Sequence, residues 1–149
     1  DVVIRVTGTG GKQFVIDTLS WTSYSGGDDA DGDGMPDAWE QENFGSLTNT
    51  AAGDWDGDRL DNLSEYISGT QPTNDRSYLR FEAILLEPSP GMQFGTVTGR
   101  TYRVDYRTNL LFGEWGNLAS GLVGSNDVRT VNDTNGFEHR TYRLGVQRE

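Results

Sequence analysis

Two stretches carry the residues whose types and spacing could do chemistry. In the first, Asp29, Asp31, Asp33, Asp37 and Glu40 stand at positions 1, 3, 5, 9 and 12 of a loop, with Gly34 at position 6. In the second, Asp54, Asp56, Asp58, Asn62 and Glu65 take the same positions. Calcium takes about six to eight hard oxygen ligands, and a loop with this spacing and a turn glycine supplies them. The ligand at position 7 is a backbone carbonyl, which assigns Met35 to the first loop and Leu60 to the second. The expected cofactor is therefore calcium, at least two ions. Arg59 occupies position 6 of the second loop, where a non-glycine residue must bear a strained backbone. Its charge would also lower affinity there.

The charge distribution agrees with this reading. The chain of 149 residues has a net charge of −11. Residues 28 to 65 hold twelve carboxylates and a single base, Arg59. Elsewhere acids and bases balance, eleven of each. Clustered carboxylates repel, so a folded segment of this kind needs a counter-charge. The acids come in two groups interleaved with Gly, Trp, Leu and Phe, unlike the single block of a solvated tail. No basic stripe exists, which disfavours nucleic acid as a partner.

Other chemistry is poorly supplied. There is no cysteine, so disulfides, zinc–thiolate sites and cysteine nucleophiles are excluded. The one histidine, His139, rules out a multi-histidine metal site and reads as a solvated strand-edge residue. A glycosidase needs two carboxylates facing each other across a cleft. With the loop acids committed to metal, Asp105 and Glu114 remain, on strand surface and loop, and no catalytic residue is assigned. Asn62 and Asn132 match the glycosylation acceptor pattern, but Asn62 reads better as a ligand. Trp55 and Trp115 could stack on sugars; packing against neighbouring segments is the plainer expectation.

The elements that must position the loops fall into three zones. Residues 1–25 read as a β-hairpin: Val2, Ile4 and Val6 alternate with Val3, Arg5 and Thr7, a Gly-rich turn follows, and Phe14 to Trp21 forms the second strand. An isolated hairpin is marginal in water, so this one is expected to pair with another sheet, in cis or in trans. Residues 26–75 form the acidic repeat, in which Asp54 follows Asp29 by 25 residues. Each loop should run into a short exit helix, entered at Pro36 and closed at Gly45, then capped by Asp61 and closed at Gly69. Trp39 and Phe44 on the first helix, and Leu63, Tyr66 and Ile67 on the second, should make a small common core. Residues 76–149 carry strand candidates at Leu79–Leu86, Met92–Thr98, Thr101–Thr108, Asn117–Val123, Val128–Val131 and Arg140–Val146, separated by Gly and Pro. Tyr102, Val104 and Tyr106 alternate with Arg103, Asp105 and Arg107, giving one buried and one wet face. The expected fold is mainly β, with the hairpin, the paired calcium loops and a small C-terminal antiparallel β-sandwich. No apolar run reaches the roughly 18 residues of a membrane helix. A chain opening at Asp1 without a signal peptide is expected to be processed or cut from a longer one.

The run from Asp29 through Gly34-Met-Pro-Asp-Ala-Trp-Glu, Phe44-Gly, Asp54-Trp-Asp-Gly-Asp, Asn62-Leu-Ser-Glu-Tyr and Gly69-Thr-Gln-Pro-Thr-Asn resembles the bacterial thrombospondin type 3 repeat, with EF-hand-like loops. The resemblance spans roughly residues 28 to 75. It implies calcium dependence and a spacer role in a secreted protein. Arg59, where glycine is usual, and Gln71, where aspartate is usual, depart from the pattern. The last zone, through Gly99 to Leu110, Trp115 and Tyr142-Arg-Leu, is similar to small C-terminal β-domains of secreted proteins from Verrucomicrobia-like bacteria, a family that implies no particular function. Ile16-Asp17 and Leu19-Ser20 resemble the closing strands of jelly-roll, carbohydrate-binding-like domains.

These readings predict a non-catalytic, calcium-binding structural module of a secreted or cell-surface protein. An alternative is a fibre subunit in which the N-terminal strands add to the sheet of another copy; it requires Val2 to Val6 to lie far from the last zone. Another is an accessory module that binds surface glycan.

Overall fold

The protein is mainly β, with two small antiparallel sheets and two short helices, in a computed structural model that describes residues 2–7, 13–16, 28–85, 89–109, 112–135 and 140–149. In chain order the elements are β1 (Val2–Thr7), β2 (Gln13–Ile16), α1 (Asp37–Phe44), α2 (Asn62–Ser68), β3 (Ala83–Leu85), β4 (Gly91–Gly95), β5 (Arg100–Arg107), β6 (Gly116–Val123), β7 (Val128–Asn132) and β8 (Thr141–Arg148). They form two compact units, Asp1–Leu19 with Leu79–Glu149, and Ser20–Tyr78. The three zones expected from the sequence are thus two units, because the N-terminal strands belong with the last zone.

That merger comes from strand pairing. β1 pairs antiparallel with β8, with Val2 opposite Val146 and Val6 opposite Tyr142. On its other side it pairs with β2, with Ile4 opposite Ile16. The order of the larger sheet is β2-β1-β8-β5-β6, so β1 is bonded on both sides within its own chain. The condition for adding Val2 to Val6 to another copy is therefore not met by β1. Of the expected second strand, Gln13–Ile16 is strand; Asp17 to Trp21 lie outside the described residues, as does His139. The smaller sheet has the order β3-β4-β7.

The pattern of alternation gives this unit its core. Tyr102 and Val104 on β5, Leu144 and Val146 on β8, and Met92 and Phe94 on β4 are all buried. The Phe94 ring meets Tyr102 of the larger sheet at 5.6 Å and Phe81 at 6.1 Å. Leu79 and Phe81 keep the alternating burial expected of the Leu79–Leu86 segment, but only Ala83–Leu85 holds strand pairing. The outer face of β5 is less wet than its charges suggest. Asp105 is buried there and accepts from Arg143 Nε at 2.9 Å and Asn117 Nδ2 at 3.1 Å. Trp115 lies over the guanidinium groups of Arg143 and Arg107, at 4.5 and 4.7 Å. Asp133 is also buried and accepts from Tyr142 Oη at 2.8 Å and from Arg140.

The other unit packs around one cluster: Met35, Leu63 and Tyr66, with Trp39, Ala51 and Ile67 against it. Trp39 joins the rings of Tyr66, at 5.2 Å, and Phe44, at 5.5 Å. Both helices are short because both are stopped. α1 starts after Pro36 and ends at Gly45, whose φ of 68° lets its N–H reach Gln41 O. α2 is capped by Asp61, whose carboxylate accepts from Ser64 N–H at 2.7 Å, and closes at Gly69 with φ 77°. No described helix is long and apolar enough to cross a membrane.

Candidate metal centres

The two acidic loops fold onto themselves in the same way. Asp29 accepts from Gly32 N–H at 2.8 Å and Gly34 N–H at 3.0 Å. Asp54 accepts from Gly57 N–H at 2.7 Å and Arg59 N–H at 2.9 Å. Asp31 Oδ1 takes the Asp33 N–H, as Asp56 Oδ1 takes that of Asp58. Asp33 Oδ1 takes the Met35 N–H at 3.0 Å, as Asp58 Oδ1 takes that of Leu60 at 2.7 Å. These short-range bonds curl the backbone around a point that the carboxylates face. Position 6 lies in the left-handed region in both loops, with φ 95° at Gly34 and 82° at Arg59. Arg59 therefore carries the strain that its place in the spacing predicts.

The result is two groups of carboxylates that could each hold a metal ion. One oxygen from each of Asp29, Asp31 and Asp33 lies within 4.8 Å of the others, and the same holds for Asp54, Asp56 and Asp58. The exit glutamates are buried and lie near enough to these aspartates to be raised further by their charge. Glu40 and Glu65 are both 0% exposed, although each is ionisable and sits among acids. Neither oxygen of Glu40 has a hydrogen-bond partner, nor has Glu65 Oε2. One oxygen each of Asp33, Asp56 and Asp58 is likewise buried and unpartnered. Buried carboxylate oxygens without donors are costly, and native structures leave few of them. Without a cation the two glutamates take up protons more readily than usual. Burial, then Asp33 and Asp31, push Glu40 up to about 7. Burial, then Asp56 and Asp58, push Glu65 up to about 8, against a hydrogen bond from Thr70. Asp33 and Asp58 are raised too, chiefly by burial. An all-oxygen, carboxylate-rich donor set suits a hard divalent cation.

The residues predicted at position 7, Met35 and Leu60, have buried side chains, which fixes the backbone that carries each carbonyl. The side chains predicted at position 9 also bond within their own loops. Asp37 Oδ1 accepts from Ala30 N–H at 2.8 Å, and Asn62 Oδ1 accepts from Trp55 N–H at 3.3 Å. Each staples position 2 of its own loop; in loops of this type position 9 often reaches the ion through water. Trp55 is 55% exposed yet touches Phe44 at a centroid distance of 5.4 Å. Glu114 is exposed, and Asp105 is held by its own arginines. The spacing could not show Thr70, whose hydroxyl donates to Glu65 Oε1 at 3.3 Å, because it lies beyond the loop and α2 returns it. No protein-family model, curated protein or solved structure matches this chain.

Proposed function

We propose that the unit around residues 28–75 binds two calcium ions, and that the protein is a non-catalytic, calcium-rigidified structural module of a secreted or cell-surface protein. The observation that carries this reading is the pair of fully buried glutamates, Glu40 and Glu65, with unpartnered oxygens, each raised by burial and by the charge of aspartates from a cluster of three at matching positions in both loops. The ligand sets are Asp29, Asp31, Asp33, the Met35 carbonyl and Glu40, then Asp54, Asp56, Asp58, the Leu60 carbonyl and Glu65. Asp37 and Asn62 act on the loop or through water. The resemblance to the thrombospondin type 3 repeat supports the same assignment, and the two sheets fit a terminal β-sandwich. A structural role is favoured over sensing, which needs helices that open to expose a methionine-rich groove; the chain has two Met. Affinities of extracellular modules run to about 10⁻⁴–10⁻³ M.

Calorimetric titration of calcium into chelator-stripped protein tests this directly. Two binding events are expected in the wild type and one in Glu40→Gln or Glu65→Gln. The absence of heat and of any thermal shift in millimolar calcium would leave the segment an acidic linker and end the proposal.

A further inference from the structure

We infer that Asn62 is a positioning residue that couples the two metal centres through the Thr50–Gly53 turn; this rests on the calcium reading above. The turn is closed by Gly53 N–H donating to Thr50 O at 2.9 Å. Asn62 is fastened to it twice, by its N–H to Gly53 O at 2.7 Å and by its Nδ2 to Thr50 O at 2.9 Å. The next residue adds a third bond, Leu63 N–H to Ala51 O at 3.1 Å. Position 9 of the second loop is thereby bolted to the turn while its Oδ1 holds Trp55 N–H at position 2.

The first loop leans on the same pieces. Ala51 packs against the cluster of Met35, Leu63 and Tyr66, so the residue assigned as the first loop's carbonyl ligand shares a core with α2. A Cβ on Gly34 would touch Leu63 Cδ1 at 3.5 Å. The turn has no slack: a Cβ on Gly53 would stand 3.0 Å from Asn62 Nδ2 and 3.1 Å from Thr50 O.

The two position-9 residues differ in one respect. Asp37 can only accept, and it serves its own loop. Asn62 accepts for its own loop and donates to the turn, which a carboxylate cannot do. An ion in the first loop would steady the Met35 backbone and the core that holds Ala51, and one in the second would steady the loop that Asn62 ties to the turn. Ordering already achieved by one ion need not be supplied by the other, so the second binds more tightly.

Asn62→Asp isolates this role, since it keeps an oxygen for Trp55 N–H and removes the donor to Thr50. The wild type, Glu40→Gln, Asn62→Asp and the double variant are titrated with calcium by calorimetry, reading the affinity of the second loop with the first intact or disabled. With Asn62 in place, disabling the first loop should weaken the second by about tenfold, within the roughly 5- to 150-fold range of such couplings. In the Asn62→Asp background both events persist and the factor falls to about one. Gly53→Ala, which presses on Asn62 Nδ2 without adding charge, should lower the factor as well. Equal factors with and without the Asn62→Asp substitution, or two independent events in the wild type, overturn the coupling and leave the calcium sites standing. A wild type that takes up no calcium overturns both.

Discussion

A loop carboxylate is placed here by what its two oxygens do. Asp29 and Asp54 use both oxygens to curl the backbone, while Asp33, Asp56 and Asp58 use one and leave the other buried and unpartnered. The glutamates are more extreme, and their protonation sets a pH signature. Glu40 and Glu65 bind a proton more readily folded than at the ordinary glutamate value of 4.5, so the calcium-free fold carries more protons than the unfolded chain. Their contribution is fully present below about 4.5 and is lost as pH rises through about 7 to 8. Calcium needs the deprotonated forms, so binding releases protons and strengthens over the same window. Melts with and without calcium should therefore diverge far more at about pH 8.5 than at about pH 5; a calcium shift independent of pH counts against these glutamates as ligands. Arg59 offers a second test. Glycine there relieves roughly 1–2 kcal/mol of left-handed strain and loses roughly 0.4–1 kcal/mol to a freer unfolded chain. Arg59→Gly should stabilise the calcium-free protein by about 0.5–1 kcal/mol in urea unfolding and tighten the second site.

The helices exist to return glutamates to the loops they leave. Neither is long enough to stand alone in water, so caps and the shared core must hold them. Asp61 caps α2 through Ser64 N–H, and α2 carries Glu65 into the site. Asp61→Ala should cost about 1 kcal/mol in the calcium-free protein, and Asp61→Asn, which keeps the acceptor, should cost little. Denaturant midpoints at matched calcium decide this; equal losses in both variants would show that charge, not capping, is what matters there. In the sheets the comparable element is β1, whose position between β2 and β8 turns an orphan hairpin into part of a five-stranded sheet.

At the scale of the whole molecule, the charge and the hydrophobic cores are segregated. The sheet unit has buried aromatic and aliphatic side chains from β4, β5 and β8, and its buried acids are satisfied by arginines. The loop unit packs on a small cluster of Met35, Leu63 and Tyr66, with Leu60 also buried, and has buried carboxylate oxygens that lack donors. Its fold should therefore depend on the ion while that of the sheets does not. Chelation is expected to split thermal unfolding into two transitions. The lower should be followed by the near-UV signal of Trp39 and Trp55, and excess calcium should move it up. A single transition unmoved by chelator would contradict this division.

Much of the loop unit was legible in the residues themselves. Ligand spacing, the turn glycine, the caps and the exit helices are local, set within a dozen residues by Asx bonds and left-handed positions, so Asp29–Glu40 and Asp54–Glu65 read directly as two units of one design. Alternation marked β5 and β8 for the same reason, since one side of a strand must leave water, while Gly and Pro bounded the other strand candidates. Tertiary structure decided what depends on partners far along the chain. Pairing of Val2 with Val146 needs a strand from each end, and no local pattern names a partner. Asp105 reads as a wet residue until Arg143 and Trp115 cover it. Asn62 reads as a ligand by spacing, and only the approach of Thr50 turns its amide toward the backbone. Local rules specify backbone shape and the polarity of a face; which distant group satisfies a buried donor or acceptor is settled only when the chain closes on itself.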